Sequence, residues 1–133
     1  MSANLDLVRS IYANWERGDF SSVGWADAQI EFVFVDGPEP GRWTGVAQMA
    51  AAWRRVLGDF EGFRTESARY EELDHGRILA LTRFCGRAKQ SGFDLGDMPS
   101  DQSAIFEVRG GRVARIELCW DASRVLSDLG LTG

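Results

Sequence analysis

The chain has 133 residues, 44% hydrophobic and 26% charged, which is the size and balance of one globular domain able to bury a core without metal or disulfide staples. Its formal net charge of −5 excludes the basic stripe that nucleic acid requires and disfavours an anionic membrane surface. No apolar run reaches the roughly 20 residues of a transmembrane helix, and Met1-Ser2-Ala3-Asn4 lacks the basic and apolar regions of a secretory signal. A cytoplasmic location is the expectation, with Cys85 and Cys119 reduced and buried in apolar runs.

Residues 4–17 predict a helix capped by Asn4, with Leu5, Val8, Ile11, Tyr12 and Trp15 at helical spacing and Gly18 as its stop. Residues 19–25 predict a second, short helix. Residues 29–35, β-branched and aromatic, predict a strand, and 36–41 is turn chemistry. Residues 46–58 predict a third helix with Met49, Trp53, Val56 and Leu57 on one face. Four strands follow, at 63–73, 77–89, 101–109 and 112–120, with hairpin turns at His75-Gly76 and Gly110-Gly111. The stretch Gln90–Ser100, with two glycines and a proline, predicts a bend or break at the sheet edge. Asp121 caps a last short helix closed by Gly130. Helices first and antiparallel strands afterwards predict an α+β fold in which a strongly curved, mostly antiparallel sheet wraps three N-terminal helices.

Four segments carry a resemblance across nearly the whole chain. They are Val8–Phe20, Pro38–Gly45, Gly86–Lys89 with Ser91-Gly92, and Gly111–Asp121 ending in Leu129-Gly130-Leu131. In order and spacing they resemble the SnoaL-like branch of the nuclear transport factor 2-like superfamily. The resemblance implies a cone-shaped α+β barrel with a pocket between helices and sheet, and a homodimer formed through the outer face of the sheet. It implies no single activity, because the superfamily holds isomerases, cyclases, hydrolases, dehydratases and binders.

The chemistry available is sparse. Asp36 follows the first strand, nine residues before Gly45, where the similar ketosteroid isomerases have a catalytic aspartate. Its other reading is an Asp-Gly-Pro turn. Anchored on Gly18 and Gly111, the isomerase oxyanion donors fall on Ile11 and Ser103, neither of which is a tyrosine or an acid, so that mechanism is disfavoured. Tyr12 lies next door, about 100° round the helix. Asp121 matches the acid of SnoaL-type cyclases near the end of the last strand, or it is a helix cap. The only histidine, His75, sits at a hairpin tip. No HxH, HxxxH or CxxC spacing is present, so no metal or cofactor is expected. A hydrolase site of Arg83, Asp36 and Glu117 needs a convergence that sequence does not supply.

Aromatics are abundant, with five Trp and eight Phe. Ile11, Tyr12, Trp15, Phe34, Trp43, Trp53, Phe84, Ser103, Leu118 and Trp120 form the expected pocket lining, with Trp43 at its rim. On the last strand Ile116, Leu118 and Trp120 alternate with Arg115, Glu117 and Cys119. The expected partner is a small apolar molecule. An acid–base enzyme, a non-catalytic binder and a dimeric scaffold with a self-filled cone remain open.

Overall fold

Helix α1 (Ala3–Glu16) begins at Ala3 because Ser2 caps it, its Oγ accepting from the Leu5 N–H at 3.0 Å. The expected cap, Asn4, lies inside the helix. The computed structural model describes residues 2–130, with the side chains of Ser67 and Ala68 excepted, so Leu131 of the fourth segment lies outside the described residues.

The short helix expected at 19–25 does not form. Asp19 Oδ1 accepts from both the backbone N–H (3.0 Å) and the hydroxyl (2.6 Å) of Ser21. That side-chain turn takes the place of a helical hydrogen bond.

Strand β1 (Ala26–Phe34) pairs with a short strand the sequence reading missed, β2 (Gly41–Thr44). Helix α2 (Val46–Asp59) follows, then β3 (Phe60–Glu72), β4 (Arg77–Ala88), β5 (Gln102–Arg109) and β6 (Arg112–Cys119). Helix α3 (Ala122–Asp128) completes the described chain. Gly110 and Gly111 have φ of 57° and 77°, so the β5–β6 hairpin turns through two left-handed residues. His75 sits exposed at φ 62° in the β3–β4 turn, where it was expected.

The six strands run in the order β2-β1-β6-β5-β4-β3, antiparallel except for the β1–β6 pair. Strands β4 and β5 do not meet through a tight hairpin. The intervening chain bends over the sheet edge through a 3₁₀ turn at Leu95–Asp97. Arg83 pins it, donating to the carbonyls of Gly96 (2.9 Å), Met98 (2.9 Å) and Ser100 (2.8 Å).

Extra residues interrupt the pairing twice on β3 and once on β6, and such breaks add twist. The sheet therefore curls around α1 and α2 into a cone. Register fixes its inner face. Phe32, Ile116, Phe106 and Ile78 stand in one row across four strands, and Phe34, Leu118, Ala104 and Ala80 in the next. Against them α1 lays Val8, Ile11, Tyr12 and Trp15, and α2 lays Met49, Ala52, Trp53 and Val56. On the opposite face Val33, Glu117, Ile105 and Leu79 form a row between those two. Among the described residues no helix is long and apolar enough to cross a membrane.

Candidate functional site

Fourteen of the fifteen aromatic residues join one connected web of ring contacts, and only Phe93, half exposed at a turn, stands apart. Trp53 is the hub, meeting Trp15 (5.2 Å between centroids), Phe20 (4.8 Å), Phe32 (5.5 Å), Phe34 (5.9 Å) and Phe63 (6.3 Å). Tyr12 extends the web toward Phe106 and Tyr70. At the other end Phe84 and Trp120 meet edge to face at 4.7 Å. Trp43 touches Phe32 and Phe34 from β2, with the Arg55 guanidinium 5.4 Å above its ring.

Nine of the ten expected lining residues thus face one interior: Ile11, Tyr12, Trp15, Phe34, Trp43, Trp53, Phe84, Leu118 and Trp120. Ser103 does not. It lies between the inward Gln102 and Ala104, and strand alternation turns it to the outer face, across from Leu81 and Cys119. Sequence reasoning missed Phe20, Phe60 and Phe63, which fill the gap between α1, α2 and β3. Their signal was present: Phe20 ends a segment read as helix, and Phe60 and Phe63 precede or open a strand read as starting too late.

The polar groups inside are few. Gln102 is fully buried, its carbonyl accepting from the Phe84 N–H at 2.7 Å and its amide donating to the Ser100 and Trp120 carbonyls. Among the described residues three buried hydroxyls have no hydrogen-bond partner: Tyr12 on α1 and Thr65, which pairs with the inward Phe84, on the inner side, and Ser103 on the outer face. Burial, with the Tyr70 phenol nearby, raises the Tyr12 pKa far above the ordinary tyrosine range, so the group stays protonated as a donor. An unpaired buried hydroxyl costs about 1–3 kcal/mol, so the two on the inner side require an explanation.

Asp36 sits at the end of β1 and braces β6. Its Oδ1 accepts from the Trp120 N–H at 2.6 Å, and its Oδ2 receives the Asp121 N–H and the Cys119 thiol, both at 3.4 Å. Burial, aided by the adjacent Asp36 and Asp121 charges, pushes the Cys119 thiol up to about 11, so it donates rather than ionises. The next residue, Gly37, has φ 90°, and a Cβ built there would fall 2.3 Å from the Trp120 ring. Trp120 is thereby clasped between the Asp36-Gly37 corner and Phe60, Phe63 and Phe84.

Asp121 is exposed and caps α3, accepting from the Ser123 N–H (3.1 Å) and hydroxyl (2.6 Å) and from the Ser100 hydroxyl (3.2 Å). Those bonds, Ser123 first, lower its pKa. The hydrolase grouping does not assemble. Arg83 faces the 96–101 carbonyls and Glu117 bonds Arg115, while Asp36 faces the end of β6.

No family model matches the chain, and no curated protein matches it in sequence. Solved structures do match it in three dimensions. A nuclear transport factor 2-like protein of Burkholderia thailandensis aligns over 100% of both chains at a TM-score of 0.76 and 17% identity. TerC, co-crystallised with polyporic acid, aligns over 98% of both at 0.72 and 19% identity. A Catenulispora acidiphila protein of ketosteroid isomerase-like fold, in complex with trimethylamine, aligns over 96% of this chain and 94% of its own at 0.69 and 14% identity. At such identities the likeness is one of fold. Cone, strand order and full-length alignment together give this chain the fold of the nuclear transport factor 2-like superfamily.

Proposed function

We propose that the chain binds a small, largely apolar molecule inside the cone, with the Tyr12 and Thr65 hydroxyls supplying its polar contacts. The observation that carries this reading is that two of the three buried, unpartnered hydroxyls, those of Tyr12 and Thr65, stand on the same side of the sheet as the aromatic rings. Such a wall with a few placed polar groups is the chemistry of a small-molecule site. Two fold neighbours were captured with small molecules, which supports the same reading. Binding is favoured over acid–base turnover because Asp36 is engaged with β6 and Asp121 with α3.

The test is a thermal-shift panel of steroids, aromatic polyketides, epoxides and terpenoids. A ligand at 100 times its Kd adds about 2.7 kcal/mol to stability. For the hit, Tyr12→Phe should weaken binding by about fivefold to tenfold, roughly 1 kcal/mol for one hydrogen bond. The same change should leave the unliganded protein equally stable or up to about 1 kcal/mol more stable, since it removes an unpaired group. Silence across the panel would point to the second reading, a scaffold whose cone is filled by its own rings, which the contact web favours.

We also propose the expected homodimer through the outer sheet face. It is supported there by the apolar character of the outward positions Val33, Ile105, Leu79 and Leu81, beside the Arg115–Glu31 and Arg115–Glu117 ion pairs. Sedimentation equilibrium tests it, and a monomer at micromolar concentration refutes it.

A further inference from the structure

An opening lies at the edge of the ring web, where the C-terminal ends of α1 and α2 meet the start of β3. It is a groove of about 540 Å³. Its apolar floor is Leu57, Phe60 and Phe63. Gly18 and Gly62 leave it unobstructed, because both hold φ near +70°, where a side chain is disfavoured (78° and 65°). The charged groups on its lining are Arg17 and Arg64, and no lining residue is acidic. The chain carries a net charge of −5, so this lining runs against the overall balance.

Both guanidiniums are oriented but not exhausted. Arg17 donates through Nη2 to the side-chain Oδ1 of Asn14. Arg64 donates to Glu66 through Nη1 at 2.7 Å, with its pKa raised by that bond. A guanidinium carries five N–H donors, so each retains capacity for a second acceptor, and the planar fork matches a carboxylate.

We infer that this groove holds a small apolar carboxylate, its hydrocarbon on Leu57, Phe60 and Phe63 and its anion between Arg17 and Arg64. The volume suits a molecule of that class, since ligand clefts span about 300–1,000 Å³. The site goes beyond the cone reading: neither Tyr12 nor Thr65 is on its lining.

Isothermal titration with decanoate, 1-decanol and acetate at fixed salt tests the inference. Decanoate should bind, decanol should bind at least tenfold more weakly, and acetate should give no heat. The double variant Arg17→Gln/Arg64→Gln should lose at least tenfold for decanoate and less than twofold for decanol. Both arginines are exposed, so an unchanged thermal midpoint confirms that the variant folds. Glu66→Gln, which releases Arg64 from its partner, should tighten decanoate about twofold to threefold. Tyr12→Phe should leave decanoate binding unchanged. Equal binding of decanoate and decanol, or of wild type and the double variant, overturns the inference. So does loss of decanoate binding in Tyr12→Phe, which would relocate the ligand to the cone and leave the proposed function standing.

Discussion

Trp53→Ala should lower the unfolding free energy by about 3–5 kcal/mol, the range for removing a large buried aromatic. The indole is 3% exposed and meets five other rings, from α1, β1, β3 and the 19–25 turn. No neighbour is positioned to collapse into the space, because Phe20, Phe32 and Phe34 are each held by a further ring or strand partner. Edge-to-face geometry adds about 0.5–1.5 kcal/mol per pair beyond buried area, so the loss falls at the upper end of the range. Domains of this size are stable by about 5–15 kcal/mol in all, so the variant approaches the limit of folding. Urea unfolding checks this directly. The midpoint should fall sharply with the m-value unchanged. Trp53→Phe should lose less than half as much, because a smaller ring still fills part of the site. A loss below about 1 kcal/mol for Trp53→Ala would mean that the web already contains a void around the indole, and the open-pocket reading would gain accordingly.

That experiment bears on what the sequence could and could not show. The inner faces of α1 and β6 were legible because a helical stripe and a strand alternation are local patterns, visible in Val8, Ile11, Tyr12 and Trp15 and in Ile116, Leu118 and Trp120. The short helix at 19–25 was misread because Asp19 and Ser21 form a turn whose hydrogen bonds compete with a helix. Strand β2 was hidden behind Pro38, Pro40 and Gly41, residues that speak for a turn, while its pairing depends on partners on β1 at separations from Phe34↔Gly41 to Glu31↔Thr44. Ser103 entered the expected lining by spacing from a distant glycine, and alternation along β5 overrules spacing. The orphaned hydroxyls of Tyr12 and Thr65 left no trace in the sequence. Absence of a partner is a property of the packed interior, and no local pattern records it.

Asp36 is the clearest case of a role that only the fold discloses. Its sequence readings were a catalytic acid or a self-bonded turn, and its actual bonds reach Cys119, Trp120 and Asp121, more than 80 residues away. Asp36→Ala should therefore cost about 2–3 kcal/mol, the value of hydrogen bonds to a charged acceptor plus an N–H left unpaired at the end of β6. Asp36→Asn should lose only about 1 kcal/mol. Its amide oxygen can still accept from Trp120, whereas its NH₂ turns a donor toward the Asp121 N–H. The order wild type, Asn, Ala is the signature of a brace, because a residue that only carries a proton would leave stability unchanged in both variants. The near-ultraviolet dichroism of the Trp120 band supplies the second readout. Freed from the corner at Gly37, the indole would lose its fixed edge-to-face contact with Phe84, so Asp36→Ala should reduce the band and Asp36→Asn should preserve it. If both variants keep wild-type stability and dichroism, the carboxylate is not holding β6. The acid at the end of β1 would then return as the first candidate for proton transfer on a ligand found by the thermal-shift panel.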